Sequence, residues 1–209
     1  ECGIVGMGGA GFPTNVKLKP GKPIDAVLVN GCECEPMLTA DHRVLLEFAD
    51  DIVFGLKAIM KAVAAPRGVI VIEDNKPDAV ALMQEKVAGV EGIEVLVART
   101  KYPQGAEKML IKRVLGKSVP SGGLPADVGA VVSNISSVKA VSDAIQKGMP
   151  LTERVDPMAL AHEFCAGCST TFDRLPVIVV ADSFGRIVYF SQGYNPSLAT
   201  DLRHILSGI

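Results

Sequence analysis

Tryptophan is absent from the 209-residue chain, and aromatic residues make up only 5% of it. Proteins that bind single-stranded nucleic acids stack the bases on aromatic side chains, so this composition argues against that role. The formal net charge of −2 argues the same way, because nucleic acids and acidic membranes are bound through clustered lysine and arginine. We therefore expect no nucleic-acid partner.

Long apolar runs are also missing, although hydrophobic residues make up 48% of the chain. Charged residues interrupt every run before it could span a bilayer, and no basic segment followed by an apolar one marks a signal peptide. The cysteines number five, an odd count that favours a reducing compartment over a disulfide scaffold. These features predict a cytoplasmic location, no direct membrane span and a substantial core.

A glycine-rich stretch stands near the beginning of the sequence. Gly6, Gly8, Gly9 and Gly11 fall within six positions, and Lys17 follows them. Glycine permits positive φ and close approach of the backbone to a ligand, and successive free N–H groups bind anions. The stretch predicts a phosphate-binding loop for a nucleotide or flavin, and a tight turn without a ligand is the alternative.

The same glycines fit the dinucleotide fingerprint G-x-G-x-x-G, which requires a strand before the loop and a helix after it. Only a short apolar stretch, residues 3–5, precedes the loop. Pro13, Pro20 and Pro23 favour turns over a long helix in the segment that follows. We therefore expect a nucleotide-binding loop of another kind.

Short apolar runs alternate with helical patterns, which indicates an α/β fold with a parallel sheet. We predict strands at residues 25–30, 68–73, 93–98 and 128–133, and helices at 41–63, 77–87, 108–115 and 136–147. Thr39 or Asp41 is the expected N-cap of the first long helix, and Ser136 or Ser137 that of the last. The proline- and glycine-rich residues 119–127 are predicted to lack regular structure.

The pattern changes near Val155, so we expect one domain over residues 1–155 and a small appended α/β element over 156–209. In the second part, alternating runs around the turn at 183–185 predict an antiparallel hairpin. Residues 197–206 are predicted to form a helix.

Five motifs follow one another in the first 128 residues: GMGGAGFPT (6–14), NGCECEP (30–36), TADHR (39–43), YPQGAE (102–107) and VPSGGLPADV (119–128). In this order they resemble the C subunit of the Rnf electron-transport complex. The flavin subunit of respiratory complex I and the cobalamin reductase of propanediol metabolism are similar. The resemblance covers about residues 2–155.

The resemblance implies a parallel-sheet domain of the complex I flavin-subunit type that holds FMN and takes a hydride from NADH. The acidic pair Glu33 and Glu35 would lie beside the flavin and nicotinamide as the catalytic residues, and solvated loop carboxylates are the alternative. The cofactor-binding residues implied by the motifs are Gly6, Gly8, Gly9, Gly11, Lys17, Asn30, Gly105, Glu107 and Asn134.

Rnf C subunits continue into a ferredoxin-like part with two cysteine-rich runs, and neither run is present in this sequence. Two iron–sulfur clusters need about four thiolates each, more than the five cysteines supply. The resemblance therefore implies that electrons pass to an iron–sulfur protein or another subunit of an electron-transport complex. Such partners would hold the chain peripherally at the inner membrane.

The tail does not continue this family and weakly resembles the closing strands and helix of a thioredoxin-like domain, with Pro176 in place of the cis-proline. Cys165 and Cys168 form a C-x-x-C pair that suits redox thiols or half a metal site. Two small buried apolar residues are the alternative, and we assign no metal site.

The leading hypothesis is an FMN-dependent NADH oxidoreductase module that passes electrons to a partner protein. A nonenzymatic assembly subunit that has lost the flavin is the second hypothesis. A thiol oxidoreductase that uses Cys165 and Cys168 is the third, and unchanged disulfide reduction by a Cys165→Ser variant would rule it out.

Overall fold

The computed structural model describes residues 2–7, 11–33 and 39–151, together with the backbone of two strands at 177–181 and 187–192. The chain forms two compact units, Glu1–Thr152 and Glu153–Ile209. Within the described residues, no helix combines the length and the apolar composition that crossing a membrane requires.

A four-stranded parallel sheet is the centre of the first unit, and helices cover both of its faces. Its strands are β1 (Ala26–Gly31), β2 (Arg67–Glu73), β3 (Ile93–Ala98) and β4 (Ala130–Asn134), in the spatial order β3-β2-β1-β4. The helices are α1 (Thr14–Lys17), α2 (Ala40–Glu47), α3 (Ala49–Val63), α4 (Pro77–Val87), α5 (Glu107–Leu115) and α6 (Ile135–Gln146). The predicted α/β fold with a parallel sheet is confirmed.

Alternation of side chains across the strands separates two apolar layers. Val29 and Ile70 face the layer that contains α3, α4 and α6, whereas Leu28 and Val71 face the layer under α5. Both layers exclude water, so β1 and β2 need apolar residues at successive positions. This requirement explains the nearly continuous apolar runs from which the strands were predicted.

The sheet order creates a switch point between β1 and β4. The chain leaves β1 toward β2 and β3 on one side, then crosses to place β4 on the other side. Open α/β sheets bind their ligands at such a point, beyond the carboxyl ends of the strands. The segments that follow β1 and β4 are therefore the first place to look for a site.

The prediction of one helix over residues 41–63 is wrong. The backbone at Phe48 leaves the helical region, with φ −128° and ψ 34°, and separates α2 from α3. The Lys139 ammonium lies 4.5 Å from the centre of the Phe48 ring, a distance typical of a cation–π contact. Apolar periodicity continues through the break, so the pattern could not reveal it.

The prediction that residues 119–127 lack regular structure is also wrong in part. Pro125–Val128 form a one-turn 3₁₀ helix, and the Leu124 N–H donates to the Asp127 carboxylate at 2.8 Å. Gly129 ends the turn with φ +77°. Proline at the first position of the turn costs no hydrogen bond, and β4 consequently begins at Ala130 rather than at residue 128.

Gly55 is where α3 packs against α6. A Cβ atom at this position would lie 2.3 Å from the Val138 carbonyl oxygen, so Gly55→Ala forces the helices apart. We expect an overpacking cost of about 1–3 kcal/mol, measured as a lower urea midpoint. Lys57→Ala, at an exposed position of the same helix, is the control and should change stability by less than about 0.5 kcal/mol. Equal midpoints for the two variants would contradict the prediction.

The described part of the second unit consists of β5 (Val177–Ala181) and β6 (Ile187–Gln192), which pair antiparallel. The predicted hairpin is confirmed. The predicted helix at 197–206, the thioredoxin-like Pro176 and the thiols of Cys165 and Cys168 lie outside the described residues.

Candidate functional site

The described parts of the glycine loop, residues 4–7 and 11–14, pair as the two sides of a narrow hairpin. Val5 and Pro13 form an antiparallel bridge, and the Gly6 N–H donates to the Phe12 carbonyl at 2.9 Å. Gly11 has φ +60°, a conformation that suits glycine. Residues 8–10, including Gly8 and Gly9, lie outside the described residues.

Ser137 joins this hairpin to α6. Its buried hydroxyl accepts a hydrogen bond from the Met7 N–H at 3.0 Å and donates to the Val5 carbonyl at 3.2 Å. The glycine loop is thereby held against the first turn of α6, just beyond the end of β4. The described N–H groups at this place have partners within the protein, since Gly6 bonds Phe12, Met7 bonds Ser137 and Ser136 bonds Asn134.

Lys17 reaches the same end of the sheet. Its ammonium donates to the Val132 carbonyl oxygen at 2.7 Å and lies 3.3 Å from the Glu107 carboxylate. The lysine and the acidic residue were assigned to the site from separate motifs. The structure brings them together beside the last residues of β4.

Asn30 connects the end of β1 to the loop before α5. Its side-chain amide donates to the Gly105 carbonyl at 2.8 Å, and its side-chain oxygen accepts from the Cys32 N–H at 3.1 Å. The bond to Gly105 holds the YPQGAE motif against the NGCECEP motif, and the bond from Cys32 fixes the Asn30 side chain. Both motifs therefore border the switch point.

The Glu33 side chain is buried, with only 2% of it exposed. One carboxylate oxygen accepts from the Asp41 N–H at 2.8 Å, and the other accepts from the His42 N–H at 3.4 Å. Glu33 therefore accepts from N–H groups in the first turn of α2. Thr39 occupies the expected N-cap position, but its side chain makes no capping hydrogen bond. The alternative of a solvated loop carboxylate does not hold for Glu33, and Glu35 lies outside the described residues.

Lys76 lies between two buried carboxylates. Its ammonium is 3.6 Å from Glu33 and 3.5 Å from Glu73, and all three side chains are less than 10% exposed. Buried charges need paired partners because desolvation of an isolated charge is costly. Sequence reasoning missed Lys76 and Glu73, although Glu73 ends the apolar strand β2 and Lys76 follows it, where site residues are expected.

Asp41 was also missed, although it lies within the TADHR motif. Its carboxylate accepts from the Asn134 side-chain amide at 2.7 Å and from the Ser136 hydroxyl at 3.2 Å. Burial, with the charge of Glu33 as a smaller cause, raises the pKa of Asp41 to about 6, against the lowering effect of these hydrogen bonds and of Lys76.

Asn134 connects two helices through its side-chain amide. Its amide donates to Asp41, while its side-chain oxygen accepts from the Ser136 N–H at 2.8 Å and caps α6. The expectation that Ser136 or Ser137 would cap this helix is wrong, because the residue that ends β4 does so. Asn134 thus joins the first turn of α6 to the first turn of α2.

The raised pKa of Asp41 predicts a pH dependence of stability. Between its usual pKa of 3.8 and the folded value of about 6, the folded protein keeps a proton that the unfolded chain releases. Stability from this group is therefore present at low pH and lost as pH rises through 6. Relative to Asp41→Asn, the wild-type free energy of unfolding should be higher at pH 4.5 than at pH 7 by about 2 kcal/mol.

Urea unfolding of the two proteins at both pH values measures this difference. Both proteins contain the other carboxylates, so the comparison cancels their contributions to the pH dependence. One of these is Asp74, whose pKa is lowered by hydrogen bonds from Thr100. A difference that does not change with pH would contradict the prediction.

The motif residues at the carboxyl end of the sheet are now placed. Those that the structure describes are Gly6, Gly11, Lys17, Asn30, Glu33, Gly105, Glu107 and Asn134. A hydrogen bond joins Asn30 to Gly105, and an ion pair joins Lys17 to Glu107. Asn134 bonds the Asp41 carboxylate, and the Asp41 N–H bonds Glu33. His42, expected to be a structural hydrogen-bonding residue, bonds Asp78 at 2.8 Å.

Residues 1–143 match the family model described as the Nuo51 FMN-binding domain. The chain belongs to this family. Its relatives include the C subunit of the proton-translocating ferredoxin:NAD(+) oxidoreductase complex of Clostridium ljungdahlii, which is 53% identical over 157 residues. The C subunit of the corresponding Na(+)-translocating complex of Acetobacterium woodii is 48% identical over 156 residues. The resemblance to Rnf C subunits is confirmed.

Each alignment covers 74% of this chain but only 34% and 35% of those relatives. The chain thus spans about a third of their length. Among solved structures, an NAD+-reducing [NiFe]-hydrogenase in the air-oxidized state matches 69% of this chain and 29% of its own chain, with a TM-score of 0.61 and 23% identity. This structural likeness supports the fold of the Nuo51 FMN-binding domain.

Proposed function

We propose that the chain is the FMN-binding module of an electron-transport complex, which takes a hydride from NADH and passes electrons to an iron–sulfur partner protein. The observation that supports this proposal most strongly is the meeting of separate motifs at the switch point between β1 and β4. Lys17, Asn30, Gly105 and Glu107 come from distant parts of the sequence and are connected there by direct contacts.

The residues present suit FMN, which combines an anionic phosphate with a flat ring. The Lys17 ammonium beside β4 supplies the positive charge that favours a phosphate. Asn30 and Asn134 present amides beside the strand ends, and amides match the hydrogen-bonding edge of a flavin. The bound flavin would supply the hydride and electron chemistry, while the protein holds and orients it.

The acidic residues have a separate role in this proposal. Glu33 is held rigidly by the N-terminus of α2 and by Lys76, so its negative charge stays at a fixed place beside the site. A fixed carboxylate disfavours added negative charge on a neighbouring group and thereby tunes its reduction potential. Glu107 is more exposed, with 48% of its side chain accessible, and can accept hydrogen bonds from hydroxyl groups of an incoming nucleotide.

The first test is a spectrum of the purified chain after incubation with excess FMN and removal of the unbound fraction. Retained flavin absorption that NADH bleaches under anaerobic conditions is the expected result. If the flavin is retained but NADH does not bleach it, the result supports FMN binding and contradicts NADH as the hydride donor. Absence of retained flavin would favour the assembly-subunit hypothesis and contradict the proposal.

A further inference from the structure

The outward side of α5 carries a concentration of positive charge. Residues 99–117 contain six lysine or arginine residues and one acidic residue, so this segment has a net charge of +5 in a chain whose net charge is −2. The core side of α5 is formed by Leu110 and Ile111. Four residues on the opposite side are exposed, and their spacing of three and four positions places them next to one another. We call them the basic face: Lys108, Met109, Lys112 and Arg113.

The cations of this segment differ from the others in their partners. Within the part of the chain that the structure describes, none of the five lysine and arginine residues at positions 99–113 has a carboxylate oxygen within 4 Å of its charged nitrogens. Nine of the other twelve described cations form such an ion pair: Lys17, Lys22, Arg43, Arg67, Lys76, Lys86, Lys117, Lys139 and Lys147. The positive charge beside and on α5 is therefore available to a partner.

The stability of α5 does not account for its cations. Lys112 and Arg113 suit the last turn, where the helix dipole favours positive charge. Lys108 lies in the first turn, where the dipole disfavours it, and it is four residues from Lys112, a spacing at which like charges destabilise a helix. Met109 is 42% exposed beside them. Clustered cations around an apolar side chain are complementary to an acidic protein surface.

The basic face begins at the edge of the proposed flavin site. Glu107, the first residue of α5, forms an ion pair with Lys17, and Gly105 in the preceding loop accepts a hydrogen bond from Asn30. Lys108 is the next residue of the helix. Since α5 has nine residues, the whole face lies within about 13 Å of this end along the helix axis. A protein bound across α5 is thus next to the site.

We propose that the basic face of α5 docks an acidic surface of the iron–sulfur protein that receives the electrons. The inference rests on the proposed function for the class of the partner, while the position of the face rests on the contacts above. An anionic membrane attracts cations too, but an interfacial helix binds it through an apolar side. In α5 that side is Leu110 and Ile111, which are buried against the sheet, so an acidic protein fits this face better.

The test measures binding of a small acidic ferredoxin with two four-iron clusters to the full chain by biolayer interferometry, at low and high ionic strength. The combined variant Lys108→Gln, Lys112→Gln and Arg113→Gln should bind about 10-fold more weakly at low salt, mainly through slower association. Its affinity should also depend less on salt than that of the wild type. Glutamine has a helix propensity close to that of lysine and arginine, so α5 should be retained.

The matched control neutralises the three remaining described cations that form no ion pair, as Lys19→Gln, Lys57→Gln and Lys61→Gln. These side chains are also exposed, so the two combined variants differ in the position of the lost charges and not in their number. The control should bind ferredoxin as the wild type does. Equal affinities of the two combined variants overturn the inference, and so does a wild type that does not bind ferredoxin at low salt.

Vesicles that contain phosphatidylglycerol test the alternative occupant. If the chain binds them through the same three cations and does not bind ferredoxin, the face is a membrane contact and the inference is overturned. Self-association that depends on these cations, without ferredoxin binding, overturns it in favour of a second copy of the chain.

Lys112→Glu is a second variant in case the combined one does not fold, as judged by circular dichroism. It places an opposite charge four residues after Lys108, which favours the helix, and it should also weaken ferredoxin binding. Unchanged affinity in this variant contradicts the docking role. None of these measurements requires bound flavin. A chain that binds ferredoxin through α5 but retains no FMN would therefore overturn the proposed function and leave the docking face standing.

Discussion

Glu33→Ala is expected to lower the free energy of unfolding by about 3–5 kcal/mol, the largest stability effect that we predict for a single substitution. The change removes the acceptor for the first N–H groups of α2. It also leaves the buried Lys76 ammonium with Glu73 as its one remaining carboxylate within 4 Å among the described residues. A buried charge that loses a partner retains its full desolvation cost.

Urea unfolding at pH 7 measures this effect, with Glu91→Ala as the control. Glu91 is exposed and lies in the turn before β3, so its removal should change stability by less than about 0.5 kcal/mol. The triple variant Glu33→Ala, Lys76→Met and Glu73→Gln tests the cause, because it removes all three buried charges together. Stability should return in part, and no recovery would indicate that the loss comes from the α2 cap alone.

The fold was largely predictable because the central strands β1 and β2 are buried on both faces and therefore apolar at successive positions. The predicted limits of β3 and α4 agree with the structure, since the apolar run of β3 is interrupted only by Glu94 and Pro77 marks the first turn of the helix. Such reasoning fails at Phe48. Its backbone breaks a helix whose apolar period continues, and only tertiary packing determines that conformation.

Residues of the candidate site that belong to the quoted cofactor motifs could be assigned from the sequence. Residues that reach the site through contacts with distant parts of the chain could not. Lys17 and Asn30 were assigned from motifs, and the structure places both at the strand ends. Asp41 and Lys76 were not assigned. The partner of Asp41 is 93 residues away in the sequence, and Lys76 contacts a carboxylate on another strand end. Spacing along one chain does not reveal such contacts.

Lys17→Met is expected to weaken FMN binding by about 10- to 100-fold, which corresponds to the loss of one or two charge-assisted hydrogen bonds. The proposed function underlies this prediction. In the structure, the Lys17 ammonium donates a hydrogen bond to the Val132 carbonyl oxygen and forms an ion pair with the Glu107 carboxylate. Its removal leaves both acceptors facing an anionic ligand, so the loss includes repulsion as well as a missing contact.

Fluorescence titration with FMN measures the affinity, and Lys19→Met is the control. Lys19 is exposed and forms no ion pair within the part of the chain that the structure describes, so the affinity of this variant should match that of the wild type. Glu107→Gln in the Lys17→Met background separates the two contributions, because it removes the unpaired carboxylate without restoring the cation. Partial recovery is expected from reduced repulsion. A Lys17→Met protein that binds FMN as tightly as Lys19→Met would show that Lys17 holds β4 and α5 together without taking part in binding.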